Sequence, residues 1–163
     1  VFSFDEGVNI FLGKNAQGKT NIIEALWLFS ANRSFRSASE TDLIRIGQES
    51  ALTRTEFYKN GRHQNEEIRF FSGKNREILK NGVKIKPSEA LGVFHCVLFF
   101  PEHLLLVKSG PEERRKFLDI AISQVKPQYD RLLKDYSSLL ARRNYILKNQ
   151  RRDLLETLDL YDI

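Results

Sequence analysis

The sequence has 163 residues, of which 41% are hydrophobic and 29% are charged. This balance is typical of a folded globular chain and excludes an intrinsically disordered one. No apolar run approaches the roughly 18 residues that a membrane span needs, and the first residues lack the basic region of a signal peptide. The single cysteine, Cys96, excludes an internal disulfide framework. We therefore expect a soluble cytoplasmic protein, and a start at Val1 favours a fragment of a longer one.

The net charge is +5, and the basic excess is concentrated in the C-terminal third. Between Lys108 and Arg152, 12 Lys and Arg stand against 5 Asp and Glu, whereas the remainder of the chain has 14 against 16. Such an excess either covers solvated helix faces or forms a surface that faces a polyanion. Composition alone favours neither interpretation.

The N-terminal half combines short apolar runs with glycine-containing turns. The apolar run of residues 7–13 is bounded by glycines and predicts a buried strand. A loop follows it, and residues 21–30 then place apolar side chains on one side of a helix. Further on, Asn60-Gly61 and Asn81-Gly82 favour hairpin turns, because such pairs adopt positive φ angles. The strands expected around these turns form a mostly antiparallel β section and comprise residues 51–59, 67–72, 78–79 and 83–85.

The C-terminal part is mostly helical. Residues 93–100 first predict one more strand. A helix is expected from Pro111, because proline is tolerated in a first helical turn. Lys126-Pro127 interrupts this helix, and a second one is expected from residue 128 past residue 150. Its apolar stripe is broken once, by Arg143, and suits either a coiled-coil-like hairpin or packing on a core.

Residues 13–20, Gly-Lys-Asn-Ala-Gln-Gly-Lys-Thr, match the phosphate-binding loop pattern G-x-x-x-x-G-K-[ST]. The two glycines let the backbone curl so that N–H groups point at phosphate oxygens, and the N-terminus of the next helix adds partial positive charge. Lys19 would reach the β- and γ-phosphates, and the Thr20 hydroxyl would join the shell of a Mg²⁺ ion. A chance match is expected in roughly 1% of chains of this length. The candidate ATP-binding residues are Gly13, Lys14, Asn15, Ala16, Gln17, Gly18, Lys19 and Thr20.

Other chemistry is not indicated by the sequence. The three histidines lack metal-ligand spacing to one another or to Cys96, and His95-Cys96 is better explained as part of the core. No apolar strand ends in the Asp-Glu pair that would hold Mg²⁺ and position a water molecule for ATP hydrolysis. We therefore expect this chain by itself to bind ATP weakly at most and to hydrolyse none.

Several stretches together resemble the RecF family of bacterial recombinational-repair ATPases. The phosphate-binding loop continues into Asn-Ile-Ile-Glu-Ala, as it does in that family. The Arg-Arg-x-Phe-Leu-Asp and Arg-Asn-x-x-Leu-Lys pieces are specific to it rather than to P-loop proteins in general. The resemblance covers nearly the whole chain and is carried by residues 13–25, 33–36, 79–82, 99–104, 110–119, 136–140 and 143–148.

The resemblance implies an α/β fold, namely the ABC-type ATPase head. Residues 1–107 would form part of lobe I, with the P-loop and the antiparallel β section, and residues 108–163 would begin the helical lobe II. It further implies ATP and Mg²⁺ as cofactors and an ATP-dependent homodimer, in which Asn15 could reach across to the partner. Glu102 would lie near the nucleotide-sensing loop between the lobes, where glutamine is usual. Such a protein would be a slow DNA-dependent ATPase that binds DNA at single-strand gaps and helps to load RecA with RecR and RecO.

Within this interpretation, the basic C-terminal third is the candidate DNA-contacting region. Two alternatives stay open: the head of an SMC/Rad50-type chromosome-organising ATPase, and a plain DNA-binding module with a vestigial nucleotide loop. The residues taken as candidates for phosphate contacts are Arg142, Arg143, Lys148, Arg151 and Arg152.

Overall fold

Helix α1 (Lys19–Ala31) packs on a four-stranded antiparallel sheet in the first of two units, Val1–Leu98 and Phe99–Ile163. The computed structural model describes residues 1–37, 39–104, 106 and 110–149. The sheet consists of β1 (Ser50–Lys59), β2 (Arg62–Phe71), β3 (Lys74–Lys80) and β4 (Val83–Ile85), and the short α2 (Pro87–Ala90) follows. The second unit contains α3 (Pro111–Val125) and α4 (Pro127–Lys148). The expected mixture of helices with an antiparallel β section is confirmed.

The strands pair in the order β1-β2-β3-β4, each with its neighbour in sequence. Both predicted Asn-Gly turns are present: Asn60 and Gly61 have φ angles of 52° and 72°, and Asn81 and Gly82 have 51° and 80°. Two successive positive φ angles define the type I′ turn, whose twist matches that of the strands. The pairs therefore set the register, with Lys59 opposite Arg62 and Lys80 opposite Val83.

One face of the sheet forms the core with the C-terminal half of α1. The buried cluster combines side chains from the helix, the strands and α2, namely Leu28, Phe29, Ile68, Phe70, Ile78 and Ala90. At the end of α1, Asn32 adopts the left-handed conformation and donates its backbone N–H to the Leu28 carbonyl. Its side chain donates to the Pro87 carbonyl at 2.6 Å, and Arg76 donates to the Asn32 carbonyl at 2.6 Å. These bonds attach the helix end to α2 and to β3.

Glu66 is an ionisable residue whose side chain lies on this buried face of the sheet. It is 1% exposed, lies opposite Thr55 on β1 and Lys80 on β3, and neither carboxyl oxygen has a hydrogen-bond partner among the described residues. Burial raises the pKa of Glu66 to about 7, although the charges of Lys80 and Lys59 act in the opposite direction. A carboxyl group in such surroundings is stabilised in its neutral form.

The opposite face of the sheet has a row of ion pairs. Arg54 donates to Glu67 at 2.5 and 2.9 Å, and Arg69 donates to the other Glu67 oxygen at 2.5 Å. These guanidinium groups, Arg54 first, keep the pKa of Glu67 below its usual value. On the same face, Lys84 pairs with Glu77 at 2.6 Å, so charged pairs extend across all four strands.

The strand predicted at residues 7–13 is wrong: this segment is not part of any ladder among the described residues, and most of its side chains are exposed, with Val8 at 87% and Leu12 at 89%. Instead, Asp5 and Asn9 bond to each other across a turn, at 3.0 and 2.8 Å, and Phe11 meets two N-terminal phenylalanine rings edge-on. An apolar run becomes a ladder strand only where another strand offers its N–H and C=O groups. No described strand does so here.

The strand predicted at residues 93–100 is also wrong. Exposure alternates along residues 95–100, as in a strand, but no ladder forms among the described residues, and His95 is exposed rather than in the core. Side chains of the first unit hold the beginning of this segment instead. The Lys59 ammonium donates to the carbonyls of Gly92 and Val93 at 2.5 and 2.8 Å, and the Cys96 N–H donates to the Ser30 hydroxyl at 3.1 Å.

In the second unit, both predicted helix starts are confirmed, with Pro111 and Pro127 each at the first helical position. The break predicted at Lys126-Pro127 separates α3 from α4, which contact each other. Asp119 on α3 joins them, since its carboxylate accepts a hydrogen bond from the Tyr129 hydroxyl of α4 at 2.7 Å. This bond raises the pKa of Tyr129, because it favours the neutral phenol.

Replacing Tyr129 with Phe should loosen the contact between α3 and α4, because the Asp119 carboxylate would lose its phenol donor. We expect a decrease of a few degrees in the Tm of the protein. Tyr136→Phe is the matched control, since Tyr136 lies on the same helix and is 58% exposed. Equal Tm values for the two variants in calorimetry would contradict a structural role of this bond.

Candidate nucleotide-binding site

The phosphate-binding loop closes directly onto the N-terminus of α1. Gly18 caps the helix in the left-handed conformation, at φ 85°, and its carbonyl accepts the first helical bond from Ile22 at 3.2 Å. Ala16 also has a positive φ, 62°, which is uncommon for a residue with a Cβ and is often found at functional sites. The motif predicted the glycine turn and included Ala16, but no sequence signal pointed to the positive φ angle of Ala16.

Lys19, the first residue of α1, folds back over the loop. Its ammonium donates to the carbonyls of Gly13 and Lys14 at 2.6 and 2.7 Å. Two adjacent loop carbonyls therefore hold the lysine, and its positive charge lies against the backbone that the motif predicts to surround a phosphate.

The first turn of α1 fits an anion. It contains no acidic residue, so no carboxylate of the turn itself offsets its positive end. The five residues from Gly13 to Gln17 are exposed, and so is Thr20, the second residue of the helix. A triphosphate could therefore approach from solvent, and the Thr20 hydroxyl would be free to bind a metal ion carried by the nucleotide.

A polar cluster that follows α1 lies one turn further along the helix. Glu24, 8% exposed, accepts hydrogen bonds from the Ser34 hydroxyl and from Arg36, the latter at 3.3 Å. Arg36 also donates to the Asn21 side chain at 2.8 Å. Ser34 in turn accepts the backbone N–H groups of Arg36 and Ser37 at 2.9 and 3.0 Å. The loop of residues 33–37 is thus bound to the helix that the P-loop begins.

A cavity of about 530 Å³ opens beside this cluster. Polar side chains of α1 and of the following loop line one part of it, and apolar side chains of the sheet and of α1 line the rest. The residues that define its two sides are Asn21, Glu24, Arg36, Leu28, Leu52 and Phe70. The sequence motifs identified residues 33–36 but not Glu24's contacts with them.

The predicted DNA-contacting residues divide into three groups. Arg142 and Lys148 are exposed on α4, whereas Arg143 is half-buried on the side of the apolar stripe. Arg151 and Arg152 lie outside the described residues. Glu102 lies in a 3-10 helix, Pro101–Leu104, in the second unit.

The described part of the chain contains neither a cluster of metal-ligating side chains nor a membrane-spanning helix. Within it, no three His, Cys, Asp or Glu side chains come together in a way that could hold a metal ion. No helix there is both long enough and apolar enough to span a bilayer.

The fold, with a P-loop that closes onto a helix beside an antiparallel sheet, is similar to that of a solved SMC-type ATPase chain. A solved chain from work described as "Structural biochemistry of ATP-driven dimerization and DNA stimulated activation of SMC ATPases" has this fold, with a TM-score of 0.56 over 72% of this chain and 86% of that one. At 20% sequence identity, this likeness shows the fold alone.

RecF proteins are more similar in sequence to this chain than the SMC-type chain is. RecF of Ruminiclostridium cellulolyticum, named DNA replication and repair protein RecF, is 40% identical over 98% of this chain, and RecF of Acetivibrio thermocellus is 37% identical over 99%. A structure described as that of the recombination mediator protein RecF with ATP is 36% identical, with a TM-score of 0.86 over 99% of the chain. No protein-family model matches the sequence. The resemblance to RecF inferred from the motifs is thus confirmed.

The chain spans about 45% of the length of these relatives, 44% and 45% of the two RecF sequences and 44% of the RecF structure. The match therefore concerns less than half of each of these RecF chains.

Proposed function

We propose that this chain is the ATP-binding part of a RecF-like DNA repair and recombination protein. The observation that carries the proposal is the loop of residues 13–20, in which Lys19 donates to two loop carbonyls and the first turn of the following helix contains no acidic residue. The likeness to a RecF structure described with ATP, at 36% identity, supports the same ligand.

In the proposed site, each part of the loop has a distinct role. The backbone N–H groups of residues 14–18 would hold the phosphates, and Lys19, which here donates to the Gly13 and Lys14 carbonyls, would neutralise the charge of the β- and γ-phosphates. Thr20 would bind Mg²⁺, which supplies charge neutralisation on the phosphates when it is bound. Asn15, exposed on the loop, is available to a second copy of the protein.

At the level of the whole protein, the proposal is an ATP-dependent homodimer that binds DNA at single-strand gaps. The dimer assists RecA loading together with RecR and RecO in the cytoplasm. In this proposal, residues 1–107 belong to lobe I and residues 108–163 form the start of lobe II. The SMC/Rad50 alternative has the weaker support, because the SMC-type chain shares 20% identity with this one and the RecF structure 36%.

The direct test is to measure ATP binding, mass by light scattering, and DNA binding of the protein at its full natural length. We expect ATP to promote a dimer and the dimer to bind gapped duplex more tightly than continuous duplex. A protein that binds no ATP, or that binds ATP but does not bind DNA, would contradict the proposal.

A further inference from the structure

Helix α4 has one face that is exposed along its length. The residues of this face follow the helical spacing i, i+3, i+4, i+7, i+11 and i+14, which places them on one side of an α-helix. They are Arg131, Lys134, Asp135, Ser138, Arg142 and Tyr145, and all six are exposed. The less exposed side contains Leu133, Leu139, Arg143 and Ile146, of which Ile146 is 4% exposed.

The charges on this face are mostly positive. Lys134 is paired with Asp130 at 2.6 Å. Within the described part of the chain, neither Arg131 nor Arg142 forms an ion pair, and Asp135 is the last acidic residue of the helix. From residue 136 to its end, α4 therefore contains only cationic charges. Arg131 and Arg142 are 11 residues apart, or about 16 Å along the axis.

An aromatic side chain lies on the same face. Tyr145 is one turn beyond Arg142 and is 56% exposed, and its ring makes no contact with another described ring. Exposed aromatic rings beside cationic side chains suit single-stranded nucleic acid, because the rings stack on bases while the cations neutralise phosphates.

We propose that the exposed face of α4, defined by Arg131, Arg142 and Tyr145, binds the DNA backbone at the single-stranded part of a gap. The inference rests on the proposed DNA-binding function and makes it specific. The two arginines neutralise phosphates, and Tyr145 stacks on an unpaired base. Arg143, a candidate from the sequence, is not part of this face, because it lies half-buried on the opposite side.

The test is a salt series of gapped-DNA binding with the protein at its full natural length and with ATP. We compare wild type with the double variant Arg131→Gln/Arg142→Gln. Two lost phosphate contacts should reduce the slope of log affinity against log salt by about 1.5. The matched control is Arg45→Gln/Arg62→Gln, which removes two exposed arginines from the first unit and should leave the slope unchanged.

Tyr145→Ala tests the stacking separately. We expect it to weaken binding to gapped DNA about tenfold and to continuous duplex far less, whereas Tyr145→Phe keeps the ring and should bind like wild type. Tyr136→Ala removes an equally exposed tyrosine from the other side of the helix and should have no such effect. ATP binding by every variant shows that the head remains folded.

The outcomes separate the two proposals. A wild type that binds gapped DNA, together with variants that match it in slope and affinity, overturns the assignment of this face and leaves the proposed function standing. An equal loss of slope in the control pair also overturns it, because the effect would then be one of net charge. A wild type that does not bind DNA overturns both.

Discussion

A protein that carries Lys19→Ala is expected to lose ATP-driven dimerisation while it keeps its fold. Nucleotide affinity should fall between about tenfold and a hundredfold, because a hydrogen bond to a charged phosphate contributes about 1.5–3 kcal/mol. The fold should survive, since Gly13 and Gly18 still form the turn and the sheet core lies away from the loop. Light scattering with and without ATP measures the dimer.

Two further substitutions make this experiment specific. Lys19→Arg should restore little, because a planar guanidinium does not fit a loop that closes around a compact ammonium at 2.6 and 2.7 Å. Lys74→Ala is the matched control: it removes an exposed lysine of the first unit that lies outside the loop, and we expect close to normal dimerisation. An ATP-dependent dimer in Lys19→Ala would disprove the assignment of this residue.

The second large effect is a pH dependence that originates at Glu66. Its pKa is raised from 4.5 to about 7 in the folded protein, so the folded state binds the proton more tightly than the unfolded state does. The stability that this group contributes is therefore fully present below pH 4.5, is lost as the pH rises to about 7, and changes no further above that. The difference amounts to about 3 kcal/mol, as expected for a carboxyl group that is buried without a partner.

Glu66→Gln should remove this pH dependence, because the amide does not ionise. The measurement is hydrogen exchange of the β2 and β3 amides between pH 5 and pH 8, corrected for intrinsic exchange rates. In wild type the protection should decrease over this range, and in Glu66→Gln it should stay level. Glu49→Gln, which changes an exposed carboxylate, should behave like wild type. The prediction is wrong if Glu66→Gln retains the full decrease.

The features that could be predicted from the sequence depend on residues that are neighbours along the chain. Asn60-Gly61 and Asn81-Gly82 need only their own φ angles to form turns, and Pro111 and Pro127 need only a helix to follow them. The phosphate-binding loop is likewise contained in eight consecutive residues. In each case, the conformational preferences of a few consecutive residues were enough to determine the local structure.

The features that sequence reasoning missed depend on distant residues. Residues 7–13 and 93–100 have apolar strand character, but strand pairing needs a partner, and none lies beside them in the described chain. Glu66 has a polar side chain, so a hydrophobicity pattern predicts that it is exposed. Its burial results from packing between two other strands. Glu24 and Arg36 are 12 positions apart, and only the fold brings them within 3.3 Å.

The neighbour-to-neighbour order of the sheet has a consequence for how the chain folds. Every ladder joins strands that are adjacent in sequence, so little loop entropy is lost before the sheet forms. Helix α1 precedes the sheet in the sequence and residues 92–96 follow it, so both can pack against the sheet only after it has formed. Destabilising an Asn-Gly turn should therefore slow folding, whereas loss of the Lys59 or Ser30 contacts to residues 92–96 should mainly speed unfolding.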